Sequence, residues 1–167
     1  LSSLSKNEDY LIQERFIQNP KMAEINEYSV NTLRIYTQTR GDAIVVPACI
    51  LRMGINNSFV DNFAQGGLIN IVDVDNGNLK DYAQTSKVDK KYFEHPDSHY
   101  VFKNSKIDKW LEIKSQVSRY AYQLSECKDL GWDVAVGENG IKILEINIQY
   151  GLDIQLLYGG MRKILEI

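Results

Sequence analysis

Cysteine is scarce in this chain. Cys49 and Cys127 are the only two in 167 residues, which excludes a disulfide-stapled scaffold and a cysteine zinc cluster and leaves two reduced thiols as the expectation. Basic excess is also missing. Nineteen Lys and Arg stand against 22 Asp and Glu, a net charge of −3, so the chain lacks the positive stripe a nucleic-acid partner requires. No apolar run approaches the length of a transmembrane helix and no signal-peptide pattern opens the chain, so neither a membrane partner nor export is expected, and the expected location is cytoplasmic. Internal repeats are absent, including the hexapeptide repeat of a parallel β-helix. "GENG" and "AQGG" lack the spacing of a P-loop. The two histidines, His95 and His99 in "EHPDSH", sit in a loop beside Pro96 without a cysteine cluster, an arrangement more suited to a loop than to a metal site. The first residues, "LSSLSKNEDY", contain no initiator methionine, so part of a longer chain is expected.

What is present is an α+β pattern. The length suits one domain, residues 1–167, with a real core. "YLIQERFI" (Tyr10–Ile17) reads as a short strand, and Ser29–Gln38 as a clearer one, rich in Val, Thr, Ile and Tyr. "AIVVPACILRM" continues as a strand in which Pro47 marks an edge or bulge and Cys49 belongs to the core. "LINIVDVDNGNLKDYAQT" is a hairpin turned at Asn76-Gly77. A long irregular connection comes next, then an amphipathic helix from about Ile107 to Cys127 with Ile107, Trp110, Leu111, Val117, Ala121 and Leu124 in its apolar stripe. The tyrosines of "SRYAYQL" join its packing face. The tail "GLDIQLLYGGMRKILEI" reads as helical in its last turns. The fold class is α+β, an antiparallel sheet packed against one long helix.

The stretch "GWDVAVGENGIKILEIN" (Gly131–Asn147) carries the chemistry. It is a hairpin with acids where apolar residues should stand. A two-residue loop at Asn139-Gly140 would put Asp133 and Glu145 on different faces. A three-residue loop, Glu138-Asn139-Gly140, pairs Gly137 with Ile141 and places Asp133 across from Glu145, with Gly140 at the left-handed position. Hydrophobic sorting selects the second register. It collects Trp132, Val134, Val136, Leu144 and Ile146 on one face, and Asp133, Ala135, Gly137, Ile141, Ile143, Glu145 and Asn147 on the other. Opposed carboxylates have β-carbons about 4.5–5.5 Å apart and repel. A positive group between them relieves this, and an all-oxygen set of Asp, Glu and Asn suits magnesium. The plain alternative is a sheet face whose acids find Arg or Lys partners; spacing leaves both open. By the same reasoning, removing either acid is expected to relieve repulsion and leave stability unchanged or slightly raised.

These motifs, "YLIQERFI", "SVNTLRIYT", "ILRMG", "VDNFAQGG", "HPD" and "GWDVAV…GIKILEIN", occur in the order of ATP-grasp enzymes, and together they resemble the sugar-transfer-associated branch of that superfamily over nearly the whole chain. The resemblance implies that Asp133, Glu145 and Asn147 bind Mg2+ and that Arg34 and Arg52 meet phosphate or an acyl phosphate. It implies that Asn62 lies near the same phosphates, that Gln13, Glu14, Arg15 and Phe16 form a hinge for the adenine of ATP, and that Leu144 is part of the adenine floor. Two positions depart from the pattern: Thr32 stands where related ligases often carry an acid, and Gly131 where many carry Arg. The implied protein is the C-terminal portion of an ATP-grasp fold, partnered by an upstream part of the same polypeptide and by a small-molecule substrate. The implied activity is a carboxylate ligase in bacterial surface-polysaccharide biosynthesis. A non-catalytic α+β binding domain that keeps a remnant of the fold is the alternative.

Overall fold

The computed structural model describes residues 14–58, 66–85 and 90–148. Within them one antiparallel sheet is built from β1 (Thr32–Arg40), β2 (Ala43–Met53), β3 (Leu68–Ile71), β4 (Ala83–Gln84), β5 (Lys91–Tyr92), β6 (Asp129–Gly137) and β7 (Gly140–Asn147). The spatial order is β5-β4-β3-β2-β1-β6-β7. A short helix α1 (Pro20–Ala23) precedes β1, and α2 (Trp110–Gln123) lies between β5 and β6. The architecture is the expected α+β class.

Alternation along the strands makes two faces of different chemistry. Leu33 and Ile35 of β1, Cys49 and Leu51 of β2, and Trp132 and Val134 of β6 join one core cluster. Helix α2 covers that face. Trp110, Ile113, Val117 and Ala121 recur at helical spacing and are buried, each of the larger ones contributing about 1.5–3 kcal/mol through removal of apolar surface from water. The stripe is narrower than expected: Leu111 and Leu124 are exposed, and the helix ends at Gln123 rather than Cys127. Tyr120 packs against the core, whereas Tyr122 faces solvent. Trp132 satisfies its indole on this side by donating to Thr37 Oγ1 at 2.8 Å.

Pro47 sits where β1 and β2 lose one residue of register, between the pairs Tyr36–Ala48 and Gln38–Val45. Two residues, Val46 and Pro47, there oppose Thr37 alone, which is a bulge that accommodates the missing N–H. The hairpin after β3 forms, but its loop has four residues, Val74–Gly77, of which the expected Asn76-Gly77 is the second half; it is closed by Asp73 N–H donating to Asn78 O at 2.8 Å. Gly77 is required twice over: its φ is +82°, and a Cβ there would lie 2.5 Å from Trp110 Cβ. This hairpin docks on the start of α2, where Trp110 Nε1 donates to Val74 O.

Two expectations change, and a third is untested. Residues 14–17 are irregular rather than strand, and only Gln18 pairs, in a single bridge to Gly137. The segment read as irregular contains β5. The helical tail lies outside the described residues.

Gln18 anchors the segment that leads into β1. Its Nε2 donates to Asn26 O and Ser29 O, and its Oε1 accepts from the backbone N–H and Nδ2 of Asn31. Asn26 Nδ2 reaches Ser29 Oγ and Gly54 O. This buried amide network fixes the entry into β1 to the exit from β2, which holds Arg34 and Arg52 on neighbouring strands in constant register.

Candidate functional site

The second sheet face carries the candidate residues in three cross-strand rows. Directly paired residues in an antiparallel ladder point to the same side. One row runs Glu145–Asp133–Arg34–Ile50 across β7, β6, β1 and β2. The next runs Lys142–Ala135–Thr32–Arg52, and the one on the other side Asn147–Gly131–Tyr36–Ala48. Asp133, Glu145, Asn147, Arg34 and Arg52 therefore share one face over four adjacent strands.

The pairing of Asp133 with Glu145 is as expected, but the route to it is different. The loop has two residues, Glu138-Asn139, and Gly137 pairs with Gly140. From there Val136 meets Ile141, Ala135 meets Lys142 and Val134 meets Ile143. The register then slips by one residue between Asp133 and Val134, leaving Leu144 as the extra residue of a bulge. Past the bulge Asp133 faces Glu145. The correction therefore concerns the near half of the hairpin: Ile141 and Ile143 pack against the core rather than on the acid face, and Lys142 takes their place there. The shorter loop and the bulge offset each other, so the far half keeps its register. The physical reason is hydrophobic sorting itself, because Ile141 and Ile143 match the core face better than an exposed one. Leu144, implied as adenine floor, is 49 % exposed at the bulge.

Asp133 is the buried centre, with 6 % of its surface exposed. Arg34 grips it through both Nε and Nη2, the latter at 2.8 Å from Oδ2. Arg52 Nη1 lies 3.3 Å from each carboxylate oxygen. Burial works against the charge on Arg34, but the hydrogen bond and the attraction from Asp133, with a smaller pull from Glu145, outweigh it and raise its pKa. The guanidinium fork is thus fully charged and geometrically fixed. Glu145 is exposed on the solvent side of the row. Asn147 is half-buried, and its Nδ2 is buried without a hydrogen-bond partner among the described residues. Gly131 beside it offers no side chain to fill that gap.

The donor set fits a hard divalent cation. Two opposed carboxylates and one amide supply oxygens, and a carboxylate held by arginine still has lone pairs to offer. The orphaned amide nitrogen of Asn147 is a donor awaiting an acceptor such as a phosphate oxygen or water. No group of three or more His, Cys, Asp or Glu side chains converges among the described residues, so the set depends on Asn147. The structure also realises the plain alternative in part, since Asp133 already has two arginine partners.

Of the hinge residues, Glu14 and Arg15 are exposed and Phe16 is half-buried, its ring 3.2 Å from where a Gly137 Cβ would stand. Phe16 and Ile17 line an open cleft of about 390 Å3 with Gly137, Gly140, Ile141 and Lys142. Gln13 and Asn62 lie outside the described residues. His95 serves structure: it is fully buried, its Nε2 bonded to Gly54 O at 2.9 Å and its Nδ1 accepting from the backbone of Asp97 and Ser98. Burial lowers its pKa and keeps it neutral. Cys49 is a buried thiol whose pKa burial raises well above its ordinary value, as befits a core residue.

No curated protein and no solved structure matches the chain. The family described as sugar-transfer associated ATP-grasp matches residues 1–166, and so takes in the buried arginine–aspartate centre, the opposed glutamate and the Asn147 row together. The chain belongs to the sugar-transfer associated ATP-grasp family.

Proposed function

We propose that this protein works in a magnesium- and ATP-dependent ligase that activates a carboxylate as an acyl phosphate and passes the acyl group to an amine or another nucleophile, in the assembly of bacterial surface polysaccharide. The observation that supports it is the placement of Asp133, Glu145 and Asn147 on one face, with two guanidiniums converging on Asp133. Bound Mg2+ would neutralise phosphate charge during transfer. Asp133, Glu145 and Asn147 would hold it with oxygens. Arg34 and Arg52 hold the Asp133 side chain in place in the ligand-free chain, and their guanidinium groups would meet the phosphate oxygens of a bound nucleotide. There they offset negative charge as it develops, in a site already partly shielded from water. Phe16 lines the cleft that would take the base, with Glu14 and Arg15 supplying backbone groups.

One observation favours the non-catalytic reading. Because Asp133 is neutralised by two arginines, the fold needs no cation to relieve its repulsion with Glu145. Turnover separates the two. The full-length protein is expected to release ADP in the presence of Mg2+, ATP and a carboxylate substrate, and Glu145→Gln is expected to abolish this without unfolding the chain. Wild-type turnover by Glu145→Gln under limiting Mg2+ would overturn the ligase reading.

A further inference from the structure

The row that contains Arg52 does not stop at β2. Arg52 pairs with Ile69, Ile69 with Gln84 and Gln84 with Lys91. Lys91 therefore stands on the same sheet face as Arg52, three strands and about 14 Å away at about 4.8 Å per strand. Tyr92 packs against the core on the opposite side, which leaves Phe93, like Lys91, on the outer face, where it is 62 % exposed. Its ring meets Tyr82 edge-on, with centroids 6.1 Å apart at 62°. Two ammonium groups converge on Tyr82, that of Lys91 at 4.4 Å from the ring centroid and that of Lys80 at 4.7 Å. Together they favour the phenolate: the hydrogen bond from Lys80 and the nearby positive charge lower the pKa of Tyr82.

This cluster is held rather than loose. Asn70 is buried, and its side chain brackets the Lys80 backbone, donating to Lys80 O and accepting from Lys80 N–H, both at 2.9 Å. Two like charges beside one ring repel each other. Neither has a carboxylate partner among the described residues. An anion between them would relieve the repulsion, and an exposed aromatic ring next to it offers a flat apolar surface. The C–H face of a sugar ring lies well on such a surface. Two lysines are too few for an anionic membrane, which takes clusters of about four to eight, or for a nucleic acid, which needs a basic stripe.

The geometry points to a second binding site, formed by Lys80, Tyr82, Lys91 and Phe93, for a sugar that carries a carboxylate or phosphate. Binding there needs neither ATP nor Mg2+. The site does not rest on the ligase reading.

The test is an NMR titration of the full-length protein with four probes: glucose 6-phosphate, glucuronate, glucose and inorganic phosphate. Shifts at residues 80–84 and 90–93 are expected with either charged sugar, and the tighter of the two identifies the anion. Glucose is expected to leave these signals in place. The Lys80→Gln/Lys91→Gln double variant should weaken charged-sugar binding about tenfold or more, a change of about 1.4 kcal/mol, and Phe93→Ala should weaken it while leaving inorganic phosphate unchanged. Absence of shifts, full binding by the double variant, or equal affinity for inorganic phosphate and glucose 6-phosphate would overturn the proposal. Calorimetric titration with Mg–ATP, run on the same variants, keeps the two readings apart. It should be unaffected by Lys80→Gln/Lys91→Gln, and its failure in the wild-type protein would sink the nucleotide reading alone.

Discussion

Asp133 and Glu145 look equivalent in sequence, two acids facing each other across a hairpin, and the expectation that losing either one relieves repulsion applies to both. The structure separates them. Asp133 is buried between two arginines whose side chains retain 16 % and 18 % of their exposure, while Glu145 is exposed. Asp133→Asn removes the charge that both guanidiniums answer and leaves two partly buried cations facing each other. Breaking a buried pair by removing one partner costs about 3–5 kcal/mol. Residual water at both arginines and the hydrogen bond that Asn still accepts reduce this to about 2–3 kcal/mol. For a chain of this size that is a fall in Tm of about 5–10 °C. Glu145→Gln, which touches no buried partner, should stay within about 0.5 kcal/mol of wild type. Urea denaturation of the two variants beside the wild type reads the difference directly, with an unchanged m-value confirming that the folded state is the same. Adding Arg34→Met to Asp133→Asn should recover part of the loss, since it removes one stranded charge. Equal midpoints for Asp133→Asn and wild type would refute the ion-pair account of the site, and so would equal losses in Asp133→Asn and Glu145→Gln.

Three further outcomes are expected from other parts of the fold. His95 is held neutral with its folded pKa below the ordinary 6.5, so its stabilisation is complete above that value and is lost as pH falls through it toward the folded pKa; the drop in urea midpoint between pH 7.5 and 5.5 should shrink in His95→Asn, and an undiminished drop would contradict the assignment. Gly77→Ala must place a Cβ 2.5 Å from Trp110 Cβ at φ +82°, and should cost about 3 kcal/mol in left-handed strain and overpacking combined; a loss under about 1 kcal/mol in the same assay would show that the hairpin does not dock as described. Deleting Leu144 removes only the extra residue of the bulge, so the chain should fold at a cost below about 2 kcal/mol, with an inter-strand nuclear Overhauser contact between Asp133 and Glu145 preserved; an unfolded product would place the bulge elsewhere.

Much of the sheet could be read from residue types because one face is strongly apolar. In β1 and β2 the alternation of Leu33, Ile35, Cys49 and Leu51 with Thr32, Arg34, Ile50 and Arg52 leaves one register that buries the first set against α2. Pro47 announced its bulge because a residue without an N–H cannot sit in a regular ladder. The short strands were harder. β4 and β5 are two residues each, too few to show a period, and their pairing comes from tertiary contacts rather than from local preference. Helix α2 was placed correctly but drawn too long, because Ile107 is buried ahead of it and Leu124 falls at helical spacing beyond its end without facing the core; Leu111, within it, widened the expected stripe for the same reason. Periodicity reports which residues could share a face, not which of them find something to pack against.

The site was legible for a different reason: charge in the wrong place. Asp133 in the middle of an apolar strand demands a partner, and the pairing with Glu145 came out right even though the loop did not. A three-residue loop and a two-residue loop with a bulge give the same register beyond Leu144, so sorting the residues past that point cannot tell the two apart. The near half of the hairpin can, because Ile141 and Ile143 belong with the core, and this is also what brings Lys142 to the acid face. What the pattern could not supply is the identity of Asp133's partner. Both a cation and a pair of arginines satisfy a carboxylate, and the choice turns on strands that lie 99 and 81 residues away in sequence, at Arg34 and Arg52. The two answers are compatible in one protein. The arginines stabilise the buried carboxylate when nothing is bound, and the oxygens of Asp133, Glu145 and the buried amide of Asn147 still face the same side. A residue that must be ionised to bind a cation, yet buried to exclude water, needs a resident counter-charge in the ligand-free state. Arg34 and Arg52 meet that need from β1 and β2, the two strands on one side of β6, which is why the order β2-β1-β6-β7 matters more to this site than any single motif.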